Sequence, residues 1–374
     1  MSEGETHGPT RRATATLGAL VTLSLLGCPG EPTPHESPAP TSTRSAEREI
    51  RDCIAEHRAA PPFQPVITAL CSERFRLDGV SVAVAIARGD EVLFETAVGP
   101  RCQGSPEALT TATTLRMGSV TKLVTAAVAL TLAQQQEVSL REPLDLGSPP
   151  STPPLSLSEL LNHTSGLRDP EPPPSGQGWW SAASTAREAP GSHHYANLNY
   201  LAVGRWLERS TGGSFAELFA QRPEFAPLRE RVTFDRTTAT QLGCSHFGWG
   251  TWRRVPLATE APLPAFTLPS GGGLASARDL ARLPAALERM GVLESMLAES
   301  VPTERPDVRY GLGVRITETE AGPVLAHSGQ TAGQWAELQW SRGDVAVAVM
   351  SSTPRAFKAT LLAAFEAARS AEAE

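Results

Sequence analysis

The sequence predicts an α/β fold of the α+β kind: one mixed, largely antiparallel sheet built from both chain ends, flanked by helices and joined to an all-helical region. Three observations point to it. "GVSVAVAIARGDEVLFETAVG" (79–99) alternates β-branched and small residues on either side of Arg88-Gly89-Asp90, the pattern of a β-hairpin. The last third carries "YGLGVRI", "GPVLAHSG", "QWAELQWS" and "DVAVAVMSS", strand-like segments joined by tight-turn residues. Between these two strand-rich ends the chain reads mainly as helices, and a sheet assembled from both termini is the simplest arrangement of that order.

Taken in order, the elements fill this plan. Residues 45–76 read as helical with a break at "AAPPFQP". After the hairpin, "KLVTAAVALTLAQQQ" continues a helix predicted over 119–136, and the Pro-rich "SPPSTPPLS" separates it from a short helix in "LSELLNHTSGL". Residues 169–191 hold many Pro and Gly and the pair Trp179-Trp180; a loop this long in a compact domain usually serves a function or is disordered. The tryptophans suit a pocket wall or a cover over the core. "YANLNYLAVGRWLERSTGG" reads as a helix stopped by Gly212-Gly213. Ser276-Ala-Arg-Asp279 opens another helix as a capping box, and "LLAAFEAA" gives the final helix an apolar stripe for packing on the sheet.

The 374 residues are 40% hydrophobic and 20% charged, an ordinary globular balance with ample material for a core. A formal net charge of −7 and no basic block or stripe exclude a nucleic-acid partner. Arg11-Arg12 precede the apolar run 13–27, which is too short to span a bilayer comfortably and fits a secretory signal peptide. Its end, Leu25-Leu26-Gly27-Cys28, resembles a bacterial lipoprotein lipobox. That resemblance implies a signal peptide over 1–27, lipidation of Cys28 and export to the cell envelope on a membrane anchor. The alternative is a plain signal peptide with an incidental cysteine, giving a soluble periplasmic or secreted protein. Residues 28–45, rich in Pro, Ser and Thr, have too little to bury and read as a disordered tether, leaving 46–374 as the folded domain. Cys53, Cys71, Cys102 and Cys244 allow two disulfides in any of three connectivities, or remain buried thiols.

Ser119-Val-Thr-Lys122 places a hydroxyl and an amine one helical turn apart, on one face. Alone, this pattern is most simply helix capping. Two further segments change its meaning: Tyr195-Ala-Asn197, just before a helix, and His327-Ser-Gly329, after an apolar strand-like run. With S-x-x-K, Y-x-N and H-x-G in this order, the chain resembles the serine β-lactamase and penicillin-binding-protein superfamily. More narrowly, it resembles the class C β-lactamase-related group, with its D-alanyl-D-alanine peptidases and family VIII-type esterases. "LLNHTSGL", "SGGGLASARDLAR" and "YGLGV" are similar to further characteristic stretches of that group, and the resemblance runs from about Gly79 to Ser352.

The resemblance implies a β-lactamase/transpeptidase-like fold with its site between sheet and helical region. Ser119 would be the nucleophile, at a helix N-terminus that favours developing negative charge. Lys122 and Tyr195 would form one coupled proton system, with either as base. Asn197 would orient Lys122 and bind the substrate amide, or would cap its helix. The oxyanion hole would come from the backbone N–H groups of Ser119 and of Gln330, which follows Gly329. His327 stands where many relatives carry Lys and would face a substrate carboxylate with a side chain that is only partly charged near neutral pH. The segment "LREPLDLGSPPSTPP" lacks the Tyr-Leu-Pro common in the group. His163 in "NHTSG" reads as a turn holder, and His193-His194 have no metal-ligand spacing. The function expected is an exported serine hydrolase acting through a Ser119 acyl-enzyme on a small-molecule ester, amide or peptide, without metal or cofactor. The alternative on the same fold is a non-hydrolytic penicillin-binding or sensor protein.

Overall fold

In a computed structural model, the structure describes residues 43–371, apart from 77–79, 103–104, 148–153, 170–189, 240, 248–252, 261–262, 321, 332 and 354–355. The signal segment, Cys28, most of the tether and Trp179-Trp180 lie outside the described residues.

The N-terminal helices α1 (Thr43–Glu56) and α2 (Gln64–Arg76) are separated by a 3-10 turn over Pro61–Phe63, where two prolines remove the donors that would continue a helix. The hairpin β1 (Val82–Arg88) and β2 (Glu91–Val98) follows, and then β3 (Thr114–Arg116) leads into α3 (Thr121–Gln135). The helical region comprises α4 (Leu157–Leu161), α5 (Asn197–Thr211), α6 (Phe215–Gln221) and α7 (Ala226–Arg229). A β4–β5 hairpin (Cys244–Phe247, Arg253–Pro256) precedes α8 (Leu268–Gly271) and β6 (Leu274–Ser276). Next come α9 (Ala277–Ala281), α10 (Leu283–Arg289) and α11 (Leu293–Ala298). The chain returns through β7 (Val301–Pro302), β8 (Val308–Tyr310), β9 (Arg315–Thr317), β10 (Val324–Gln330), β11 (Trp335–Ser341) and β12 (Val345–Ser351), and ends in α12 (Lys358–Ser370).

The main sheet has eight strands in the order β2-β1-β12-β11-β10-β9-β8-β7, with neighbours antiparallel. Both chain ends therefore build it, as the sequence predicts. Strand β1, next to the edge strand β2, pairs with β12 from Val82↔Ser351 to Arg88↔Val345. Strand periodicity separates the two faces by side-chain size. Val82, Val84, Ile86, Val345, Val347 and Val349 share one core with Val66 and Leu70 of α2 and Leu361 and Phe365 of α12. Ala83, Ala85, Ala87, Ala346 and Ala348 face the helical region, where small side chains let α9 lie close.

Several local expectations acquire detail. Ser276 caps α9 by accepting from the Asp279 N–H at 3.1 Å, and Gly212 stops α5 in the left-handed region. "YGLGVRI" is two strands rather than one: the chain turns at Gly311–Val314, where the Gly311 N–H donates to the Val314 carbonyl at 2.8 Å. The cysteines form Cys53–Cys71 and Cys102–Cys244, one of the three possible connectivities. No helix among the described residues is long and apolar enough to cross a membrane.

Candidate active site

Ser119 lies in a 3-10 turn, Gly118–Val120, between β3 and α3. Its flanking residues are buried while Ser119 is half-buried, so the hydroxyl sits at the mouth of α3. Lys122, one turn on, is fully buried. Its Nζ contacts Ser119 Oγ at 2.9 Å, Asn197 Oδ1 at 2.9 Å and the Ser270 carbonyl at 2.8 Å. The last two partners only accept, which commits two N–H groups of the amine. The contact to Ser119 works in either direction: an ammonium donates to the hydroxyl, and a neutral amine accepts its proton. The geometry therefore suits Lys122 before and after a proton transfer.

Asn197 is the first residue of α5 and does not cap it; the N-cap position is Ala196, whose methyl offers no acceptor. Capping falls to Asp169, which accepts from the Asn197 N–H and the Leu198 N–H, both at 2.9 Å. The same carboxylate accepts from Asn197 Nδ2 at 3.0 Å, which turns Oδ1 toward Lys122. Of the two roles open in the sequence, the structure shows the Lys-orienting one.

Strand β10 forms the opposite wall. At Gly329 a Cβ would lie 1.9 Å from the Met117 carbonyl oxygen and 2.7 Å from Ser119 N; at Gly118, where φ is +51°, it would lie 2.8 Å from Gln330 N. Only glycine allows the two backbones to touch here, and that contact places the N–H-bearing atoms of Ser119 and Gln330 side by side. A pair of backbone donors from two elements is the arrangement an oxyanion needs.

Tyr195 is half-buried beside this pair, its ring centroid 5.0 Å from Lys122 Nζ. Behind it stands a neutral wall. All three tyrosines of the chain, Tyr195, Tyr200 and Tyr310, pack around His163, with ring centroids 4.4, 5.4 and 4.9 Å away. His163 is buried with φ +61°, and its Nδ1 accepts from the Ala196 N–H (3.3 Å) and Asn199 Nδ2 (3.0 Å). The proton of the neutral ring is thereby placed on Nε2. Burial first, then the Lys122 charge, holds the His163 pKa well below its ordinary value. Burial raises Tyr200 and Tyr310 well above the usual phenol range.

His327 belongs to this wall and not to the open surface. Alternation along β10 sends Leu325, His327 and Gly329 inward. His327 Nδ1 donates to the Ser328 carbonyl at 2.8 Å, so Nε2 accepts from the Tyr310 hydroxyl at 2.9 Å. Burial, followed by the charges of Arg315 and Lys122, pushes its pKa well below the ordinary value. A buried neutral His327 is not the carboxylate partner that the resemblance implies. Half-buried Arg315 is better placed: Nη1 donates to Ser328 Oγ at 2.6 Å, and Cζ lies 6.0 Å from the Tyr195 ring centroid. Among the described residues Arg315 forms no ion pair with an acidic side chain.

The structure thus gathers Ser119, Lys122, Tyr195, Asn197, His327, Gly329 and Gln330 into one site, and Cys28 lies outside the described residues. Sequence reasoning missed Asp169, Ser270, Tyr310 and Arg315. Tyr310 and Arg315 carried a signal, since both fall in "YGLGVRI", a stretch already singled out. Among the described residues no group of three or more His, Cys, Asp or Glu could hold a metal ion.

A family model described as Beta-lactamase matches residues 57–369. The chain is 27% identical over 297 residues to a D-aminopeptidase of Brucella canis, covering 71% of this chain and 54% of that protein. It is 25% identical over 192 residues to the D-alanyl-D-alanine-carboxypeptidase/endopeptidase AmpH of Escherichia coli, covering 44% and 50%. The chain spans about half the length of these curated relatives. Among solved structures, the D-amino acid amidase from Ochrobactrum anthropi superposes with a TM-score of 0.68 at 17% identity, covering 84% of this chain and 100% of that one.

Proposed function

The chain belongs to the beta-lactamase family and has its β-lactamase/transpeptidase-like fold, and from that premise we propose that it is a serine hydrolase cleaving amide bonds next to D-amino acids in small peptides with a free carboxylate. The observation that carries the reading is the contact of Lys122 Nζ with Ser119 Oγ at 2.9 Å, held by Asn197 and Ser270. Ser119 Oγ attacks the carbonyl carbon and its proton passes to the Lys122–Tyr195 pair. The N–H groups of Ser119 and Gln330 hold the oxyanion. Collapse expels the amine, which takes up the proton, and water then releases the acid from the Ser119 ester. The names of the matched relatives supply the D-residue. The half-buried Arg315 guanidinium supports the carboxylate.

The test pairs wild type with Ser119→Ala on a D-Ala-D-Ala peptide, its C-terminal amide, a p-nitrophenyl ester and a chromogenic cephalosporin. Turnover of the free peptide above its amide, abolished in Ser119→Ala, is the expected result. Equal rates in both proteins would remove Ser119 as nucleophile. A stable Ser119 adduct without turnover would replace the hydrolase by a non-hydrolytic binder.

Export on a lipid anchor at Cys28 is part of the same proposal. The two disulfides support it, because such bridges persist in oxidising compartments. Metabolic labelling with a fatty-acid analogue should mark the wild type and fail in Cys28→Ala; persistent label would eliminate the anchor.

A further inference from the structure

The two candidate oxyanion donors sit on different elements, so something must fix the distance between those elements. Ser119 follows β3, and Gln330 ends β10 at the tip of the β10–β11 hairpin. Along its outer edge β3 pairs briefly with the segment before β4: the Thr114 N–H donates to the Gln241 carbonyl at 2.6 Å, and the Gly243 N–H to the Thr114 carbonyl at 3.0 Å. The ladder stops there, because the Gly243 carbonyl turns away to accept from the Leu257 N–H at 3.0 Å. The next donor along the β3 edge, the buried Arg116 N–H, is left without a backbone acceptor on that segment.

Gln334 fills this gap. Its side chain is fully buried. Oε1 accepts from the Arg116 N–H at 2.6 Å, and Nε2 donates to the Cys244 carbonyl at 3.0 Å. The side-chain amide thus stands in for a peptide group between β3 and β4. Its own backbone closes the hairpin tip, where the Thr331 N–H donates to the Gln334 carbonyl at 2.9 Å. One residue therefore ties the tip that carries Gln330 to the strand that carries Ser119. It also ties both to Cys244, which the disulfide to Cys102 anchors in turn. A buried Gln at this position has no need of its amide for packing, and each unmet partner would be a buried backbone group without a hydrogen bond.

We propose that Gln334 is a positioning residue of the oxyanion hole, setting the separation of the Ser119 and Gln330 N–H groups through its bonds to Arg116 and Cys244. The proposal rests on the hydrolase reading above. A positioning role acts on the transition state, where charge reaches the carbonyl oxygen, and only weakly on ground-state binding. The experiment measures kcat and KM per titrated active site, on the best substrate found for the wild type, in Gln334→Met and Gln334→Asn. Met keeps the length without either hydrogen bond; Asn keeps the amide one methylene short and covers the case in which the Met variant does not fold. The expected result is kcat lower by about 10- to 100-fold with KM within about twofold, as for a small misplacement of catalytic groups. Unchanged kcat per active site, with only stability or yield reduced, would overturn the proposal and leave the hydrolase reading intact. Equal activity of wild type and Ser119→Ala would overturn both.

Discussion

Lys122 and His327 are both fully buried in one site, and their surroundings treat them in opposite ways. Lys122 is met by a carbonyl, an amide oxygen and a hydroxyl, which together satisfy an amine in either protonation state. His327 is met by one hydroxyl and one carbonyl among aromatic rings, with no carboxylate among the described residues bonded to it. His163 is met on Nδ1 by two N–H donors, from Ala196 and Asn199, which likewise favour a neutral ring. The wall therefore disfavours a protonated ring, because charging either imidazole would cost desolvation and meet the charges of Lys122 and Arg315. What separates the two halves is the supply of acceptors, since burial alone is equal. The half rich in acceptors touches Ser119, and the half that disfavours charge gives Tyr195 a fixed backing.

The largest effect should come from breaking the charged half. Lys122→Met removes the group proposed to exchange a proton with Ser119, and general acid–base catalysis contributes about 10²- to 10⁴-fold. Turnover should fall by that factor with KM nearly unchanged; a loss below tenfold would move the base role to Tyr195 alone. Next is Gly329→Ala. Its methyl would lie 1.9 Å from the Met117 oxygen, so β10 must retreat from the Ser119 turn. A loss of about 10²- to 10³-fold in kcat is expected, the value of one oxyanion donor. Activity within a factor of three would mean that the two N–H groups do not act together.

Much of this was legible in the sequence, and the gaps have physical causes. The alternation of Val with Ala in β1 and β12 gave away both the strands and their two faces. The order Ser119–Lys122, Tyr195–Asn197, His327–Gly329 pointed to residues that the structure brings together in the candidate site. Ser270 was invisible, since it contributes a carbonyl that every residue has. Asp169 was invisible because its role depends on how the chain packs against the start of α5, which no local pattern records. The burial of His327 could have been read, since it shares strand parity with Leu325. Parity decides which face a side chain takes, and a charge-bearing residue on the apolar parity is a candidate for neutralisation.

Asp169→Ala probes the seam between the halves. It removes the cap of α5 and the group that turns the Asn197 amide toward Lys122. A lost N-cap costs about 1 kcal/mol, and a freed amide should lower kcat by about tenfold, as for loss of one neutral hydrogen bond in the site. Denaturant unfolding and kinetics on one preparation separate the two. A stability loss with unchanged kcat would reduce Asp169 to a cap.

The smallest effect tests the neutral half alone. His163 and His327 have folded pKa values well below their unfolded value of about 6.5. Below that pH the unfolded chain binds protons that the folded chain refuses, so stability is fully present above pH ~6.5 and is lost as pH falls. Each ring should contribute a slope of up to about 1.4 kcal/mol per pH unit in that window, until its depressed folded pKa is reached. Carboxylates with lowered pKa values, such as Asp90 and Glu95, add their losses only at lower pH, near their own range. Between pH 6.5 and 5.5 the histidines should therefore dominate. His193 is also held below its ordinary value by burial and shares this slope. His327→Gln removes one of three such rings and keeps an acceptor for the Tyr310 hydroxyl, so it should lower the slope measured by urea unfolding by about a third to a half. An unchanged slope would show that His327 takes up a proton in the folded protein, and that the wall behind Tyr195 is not neutral after all.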